Sequence, residues 1–541
     1  MPNTQIIEHP YYPIIFVRGY AGDQNAIEEA SADPYMGLNI GSTRQRQLWT
    51  GDVVKYFFES PLVRLMKDHQ YADVYSGGAM MAPGENIPAK SVIIHRYYDV
   101  VSKDWADGSN GDIEQFAEGL GELILQVRER VCGDDAAQIA AFKVYLVAHS
   151  MGGLICRTLL QNVKLNATAD AQTRMGQARS LVDKVFTYAT PHNGIDLRLF
   201  GNVPGFLSAN HMNNFNRDRM REYLAVPKTD DGNVDTLNGM FDPNRFFCLI
   251  GTNSSDYEVA SGMSKRIVGP MSDGLVRINN ATVSGMWLGK KQGSPRAFVH
   301  RSHSGPYGIV NSEEGYQNLK RFFFGDVRVD GELEVNEVML PAALDKAWRL
   351  DSDGNQIPPA DRKALHASYH FEAILRVRGA AWDMHRRVMT EGSAAFATYD
   401  DLTNADPSKR RSPHLFSAFL SLGARVNPKR SSLGFSLDLG VLVPQYELDG
   451  FLMFDDHYEG GYLFRDKLNF EVTPPKDDSG DPWQLRCGAD SKTPNRATMK
   501  IEPTALPDGG YVFRIPVEQN TKPGIMATLK LTVRSWNELE D

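Results

Sequence analysis

The stretch VYLVAHSMGGLICRTLL, residues 144–160, puts a serine on a corner with almost no room to turn. Val144 to Val147 is a short apolar run that reads as a buried strand, and from Gly152 onward the spacing of Leu154, Cys156, Leu159 and Leu160 is helical. His149 and Ser150 stand between the two. A strand that passes straight into a helix forces a strained turn, which lifts one side chain above the sheet edge. The residues two before and two after that side chain must be small, and here they are Ala148 and Gly152, with Gly153 easing the packing further. The N-terminus of the following helix favours negative charge through its unsatisfied N–H groups. A hydroxyl at such a corner suits a nucleophile whose attack creates an oxyanion.

The elements around that corner make it more than a chance A-x-S-x-G. Strand candidates are Ile14–Arg18, Val92–Tyr98, Lys143–Ala148, Val185–Ala189, Phe246–Gly251 and Ala297–His300. Several are near-continuous apolar runs, as expected of a parallel sheet covered on both faces. Helix candidates Ile113–Val131, Gly152–Val163 and Glu313–Phe324 fall between or after them. The alternation implies an α/β sheet with right-handed crossovers. Two insertions break the rhythm, at about 23–90 and 194–243, and both are candidate caps or lids. In the first, GDVVKYFFESPLVRLMKD suggests a helix pair broken near Pro61; in the second, NNFNRDRMREYL suggests a mostly helical excursion.

With that context, VAHSMGG resembles the nucleophile elbow of the α/β-hydrolase superfamily, in particular of the lipases, over roughly residues 10–325. The resemblance implies a Ser-His-Asp triad in the chain order serine, acid, histidine. SDGLV at 272–276 is similar to the segment that carries the acid in many lipases and points to Asp273; Asp256, nearer the end of the preceding strand, is the alternative. FVHRSHSGPYG offers His300 and His303. His303 begins the polar loop from which a general base reaches over a sheet edge, whereas His300 still reads as strand. The backbone N–H groups of Met151 and Tyr20 are then the expected oxyanion hole. Tyr20 follows IIFVRG, where Arg18 occupies the usual histidine place; an arginine there suits a carboxylate or other anionic substrate group. The expected activity is hydrolysis of carboxylic esters through an acyl-enzyme, with phospholipid, thioester and amide hydrolysis as alternatives and a non-catalytic binding protein as the reading from another class. No cofactor is required.

Beyond residue 325 the texture changes to alternating runs, including Tyr369–Val377, Phe435–Val443, Tyr462–Val472, Tyr511–Val517 and Ala527–Val533, separated by turn clusters such as PPKDDSGDP. The expected architecture is an α/β-hydrolase domain over 1–325, with a mostly parallel sheet and helices on both faces, followed by an all-β, sandwich-like accessory domain over 326–541. At 541 residues, 42% of them hydrophobic, the chain can bury two cores. A formal charge of −9 argues against a nucleic-acid partner. The expected partner is an ester or lipid, with the C-terminal domain as candidate lipid-surface contact; oligomeric state is not legible. Cys132, Cys156, Cys248 and Cys487 form no metal spacing, and neither do the thirteen histidines with their acidic neighbours. The N-terminus lacks a basic segment followed by an apolar stretch, and no apolar run is long enough to cross a bilayer, so a cytoplasmic location is expected.

Overall fold

The computed structural model describes residues 6–19, 24–47, 50–76, 79–80, 85–103, 111–166, 168–195, 213–254, 271–425, 427, 429–449, 456–475, 481–507 and 509–537. Its contacts divide the chain after Phe324 into two compact units.

The first unit is built on seven strands: β1 (Ile14–Val17), β2 (Ala72–Asp73), β3 (Ser91–Ile94), β4 (Val144–His149), β5 (Val182–Tyr188), β6 (Phe246–Gly251) and β7 (Arg296–Val299). They pair in the order β7-β6-β5-β4-β1-β3-β2, every pair parallel. All four residues of β1 and all six of β6 are buried, as the unbroken apolar runs require when helices cover both faces. The longest helix, α1 (Ile113–Cys132), opens with a reciprocal cap between Asp112 and Gln115. It buries Ile113, Phe116, Leu120, Ile124, Val127 and Val131, a stripe at three- and four-residue spacing. Helix α2 (Met151–Gln161) is buried at all eleven positions, so it runs through the middle of the unit. Helix α3 (Glu313–Phe324) closes the fold, its Phe323 ring stacked 4.3 Å from that of Tyr145 on β4.

After β1 the chain adds β2 and β3 on one side, then returns to add β4 on the other. The direction of growth therefore reverses between β1 and β4. In open α/β sheets the crevice at the carboxyl ends of the strands beside such a reversal is where ligands bind. Both the Ser150 corner and the loop after β1 open there.

One insertion differs from expectation. Val53–Phe58, read as part of a helix pair, is a strand paired antiparallel with Ser42–Gln47; Pro61–His69 after it is helical, capped by Ser60, and Gln24–Ala32 forms a separate helix at the start of the insertion. The run Val53, Val54, Tyr56, Phe57, Phe58 is β-branched and aromatic, and Gly51 (φ 91°) lets the chain reverse before it. Similarly, β3 stops at Ile94 where a strand to Tyr98 was expected, and Tyr97–Val100 forms a short 3₁₀ turn. In the second insertion Arg217–Tyr223 is a helix, while 196–212 lie outside the described residues.

The second unit is all β apart from short helices. One antiparallel sheet holds β8 (Val327–Met339), β10 (His414–Leu420), β14 (Tyr511–Gln519) and β15 (Gly524–Ser535), in the order β10-β8-β15-β14 and then Pro503–Ala505. The other runs from His385–Arg387 through β9 (Leu365–Val377), β11 (Leu433–Leu448), β12 (Asp456–Thr473) and β13 (Gln484–Ala489) to Met499–Ile501, with Ala395–Thr398 also on β9. Inward residues of both sheets, among them Val329, Leu531 and Phe513 from one and Leu375, Leu437 and Phe470 from the other, share one core. This is the sandwich that the alternating runs imply. No helix among the described residues is long and apolar enough to cross a membrane.

Candidate active site

Ser150 sits between β4 and α2 with φ 51° and ψ −123°, a conformation that costs a non-glycine residue energy and persists only where its surroundings enforce it. Its N–H donates to the carbonyl of Tyr188 at the end of β5 (2.9 Å), which anchors the corner to the neighbouring strand. A Cβ at Gly152 would press into the carbonyl oxygens of Val17 and Arg18, so the helix can start this close to β1 only with glycine there.

His303 reaches Ser150 from 153 residues away. Its Nε2 lies 3.0 Å from Ser150 Oγ, and its Nδ1 lies 2.9 Å from Asp273 Oδ2. The three side chains are almost wholly buried, Ser150 and His303 at 4% exposure and Asp273 at 1%. A carboxylate only accepts, so Nδ1 carries the imidazole proton and Nε2 faces the hydroxyl as acceptor. Asp273 is itself held: its Oδ1 accepts the N–H groups of Leu275 (3.0 Å) and Val276 (2.7 Å). Its main-chain carbonyl accepts the N–H of His303 (3.0 Å).

The loop carrying His303 is fastened from below by Arg301, whose guanidinium is paired with Glu314 of α3 (2.9 Å), both side chains 2% exposed. The same guanidinium donates to the carbonyl of Thr43 in the 42–58 hairpin (3.0 Å). His300 stands apart from the serine, its Nδ1 3.5 Å from Thr252 Oγ1. Asp256 and Tyr20 lie outside the described residues. Met151 opens α2, in the first turn whose N–H groups have no helical partner. The end of the loop leading to Tyr20 is pinned by two phenols: Tyr97 Oη lies 2.9 Å from the Arg18 carbonyl and 3.1 Å from that of Gly19, and Tyr98 Oη donates to Gly19 (3.1 Å). The Arg18 side chain packs toward Gly37 and has no carboxylate partner among the described residues.

Of the supporting residues, Arg157 and the two tyrosines escaped the sequence. Arg157 looks like a stray charge in an apolar helix, yet it is fully buried. It donates to Gln161 Oε1 and to the carbonyls of His192, Val234 and Thr236, tying α2 to the second insertion. Burial brings its protonation range down to about 10. His192 is buried beside it, Nε2 3.2 Å from Thr187 Oγ1, and desolvation holds its protonation far below the ordinary range. His95 hydrogen-bonds the carbonyl of Phe116 in α1 (2.9 Å). The tyrosines and Arg157 carry no local motif; they are found only by asking which polar groups satisfy buried carbonyls. Among the described residues no cluster of histidine, cysteine and acidic side chains could hold a metal ion.

No family model matches the chain, and no curated protein matches it. Among solved structures it aligns with the mature form of the Bacillus licheniformis lipase BlEst2, at 14% identity over 56% of this chain and 89% of that one, with a TM-score of 0.27. It also aligns with the product of the Listeria innocua gene lin2722, at 11% identity over 58% and 94%, TM-score 0.25. The Tle4–Tli4 complex aligns at 18% identity over 35% and 47%, TM-score 0.17. The topology of the chain itself carries the assignment: a parallel sheet that reverses its growth beside β1, with a strained serine between the strand and helix that follow the reversal. Residues up to Phe324 adopt the α/β-hydrolase fold.

Proposed function

We propose that the chain is a serine hydrolase that cleaves carboxylic esters through an acyl-enzyme. The observation that carries this reading is the continuous hydrogen-bonded line Asp273–His303–Ser150, buried at the carboxyl edge of a parallel sheet. In the proposed reaction His303 Nε2 takes the proton of Ser150 as Oγ attacks the acyl carbon. Asp273 keeps the imidazole in the required tautomer and faces the imidazolium that forms. The oxyanion rests on the N–H groups of Met151 and Tyr20, and His303 then protonates the leaving alcohol. Water releases the acyl group by the same route. The chemistry needs no cofactor. Phospholipid, thioester and amide bonds suit the same machinery. The substrate is proposed to be an ester or lipid, met by the β unit where it is presented on a lipid surface.

The test is a fluorophosphonate probe with 4-nitrophenyl esters of increasing chain length. Wild type labels and turns over ester, while Ser150→Ala does neither, its kcat falling by about 10⁴-fold or more. A wild type that neither labels nor hydrolyses any ester is a non-catalytic binding protein, and the proposal fails.

A further inference from the structure

We infer that His149, the residue before the serine, is a positioning residue for the base: its imidazole grips the main chain of His303 and sets how far the His303 ring reaches toward Ser150. The inference rests on the proposed reading of Ser150, His303 and Asp273 as the reacting set.

The sequence suggests a side chain at 149 that turns away from the nucleophile, with no task beyond structure. In the fold its imidazole meets the main chain of His303. His149 Nε2 lies 2.9 Å from the main-chain oxygen of His303, and the two imidazole centroids are 4.9 Å apart. A carbonyl oxygen only accepts, so Nε2 carries the proton and donates. Nδ1 faces Gly19, where an added Cβ would stand 2.9 Å from it. Burial, reinforced by the nearby His303 and Arg18, lowers the protonation range of this imidazole to about 3. The ring therefore stays neutral at working pH, and it does not oppose the positive charge that His303 acquires when it takes the serine proton.

Both main-chain polar atoms of His303 are thus held, one by Asp273 itself and the other by the neighbour of Ser150. Its N–H donates to the carbonyl of Asp273, the residue whose carboxylate receives Nδ1. Its carbonyl receives His149, which is covalently joined to Ser150. His303 stands in a loop between β7 and α3, and loop backbone drifts unless tied. The contact from His149 fixes that loop against the elbow through one donor. A displacement of about 1 Å at a reacting atom costs on the order of 100-fold in rate.

The decisive comparison is His149→Gln against His149→Asn in the full chain, with His149→Leu as the apolar control. A glutamine amide nitrogen occupies the place of Nε2, whereas that of asparagine matches Nδ1 and falls short of the carbonyl. With 4-nitrophenyl butyrate, His149→Asn and His149→Leu are expected to lose about 10- to 100-fold in kcat, with KM within about twofold. His149→Gln recovers most of that rate, and fluorophosphonate labelling rates follow the same order. Equal loss in the glutamine and asparagine variants, full activity in the leucine variant, or a loss confined to KM overturns the inference. Thermal melting of each variant separates misfolding from misplacement, since the two amides differ in reach and little else. Ser150→Ala in parallel tells the two failures apart: turnover that survives it sinks the reading of the site and the role of His149 with it, whereas an inactive Ser150→Ala beside a fully active His149→Leu sinks the role of His149 alone.

Discussion

At the scale of the residue, the site depends on one carboxylate with two different faces. Oδ1 of Asp273 is occupied by the backbone N–H groups of Leu275 and Val276, and Oδ2 by His303. This asymmetry predicts the outcome of Asp273→Asn. The amide oxygen stays on the two backbone donors, so the NH₂ is forced toward His303 Nδ1. The imidazole must then place its proton on Nε2, facing the hydroxyl that it deprotonates in the proposed reaction. The expected result is a fall in kcat on the order of 10⁴-fold with folding intact, measured by steady-state kinetics beside a thermal melt. A variant with near-normal turnover would leave Asp273 without a part in the reaction.

At the scale of the element, the turn between β4 and α2 works only because helix and strand approach more closely than side chains allow. A methyl group at 152 meets the Val17 and Arg18 carbonyls, which are main chain of the central strand and cannot swing aside. Gly152→Ala is expected to push α2 outward, destabilise the first unit by about 1–3 kcal/mol and lower kcat more than tenfold. Chemical denaturation and ester turnover measure the two effects on one sample. The elements beside this turn are tied by polar groups rather than by apolar packing alone. Arg157 joins α2 to the carbonyls of residues 192, 234 and 236, and Arg301 joins the His303 loop to α3 and to the 42–58 hairpin. The hairpin was read as helix because its apolar spacing fits either period over so short a stretch. Its pairing partner, Ser42–Gln47, is polar and shows little strand signal alone.

At the scale of the whole molecule, stability depends on histidines buried in the neutral form. Burial lowers His95 to about 4 and His149 to about 3, and holds His192 well below its ordinary range. An unfolded chain takes up a proton at each near pH 6.5, whereas the fold resists until far lower. Their stabilising contribution is therefore complete above pH 6.5 and lost as the pH falls toward 4, by about 3 kcal/mol for His95 alone. Lys184 acts in the same direction at higher pH: burial brings it from 10.5 to about 7, so stability also rises between those values. Urea unfolding of the wild type at pH 7.5 and pH 5 is expected to show a clear acid loss, and His95→Gln, which keeps a donor for Phe116, a shallower one. Parallel pH profiles for the two proteins would remove His95 from this account.

Read alone, the sequence located six of the seven strands of the sheet, missing the two-residue Ala72–Asp73, together with three of its helices, the strained corner at Ser150 and the change of texture near residue 325. Each of these is written in neighbours: apolar periodicity, small residues around one turn, glycine and proline between runs. It also favoured Asp273 over Asp256 as the candidate acid and His303 over His300 as the candidate base, on the resemblance of short segments. Which imidazole meets the serine depends on the path of a chain 153 residues long, and the structure brings His303 to Ser150 while His300 turns to Thr252. The tyrosines under the β1 loop, the buried Arg157 and the grip of His149 on His303 belong wholly to the tertiary fold. A hydrogen bond to a distant carbonyl leaves no periodicity in the residue that makes it, because its partner is chosen by three-dimensional proximity and the cost of leaving a buried polar group unpaired.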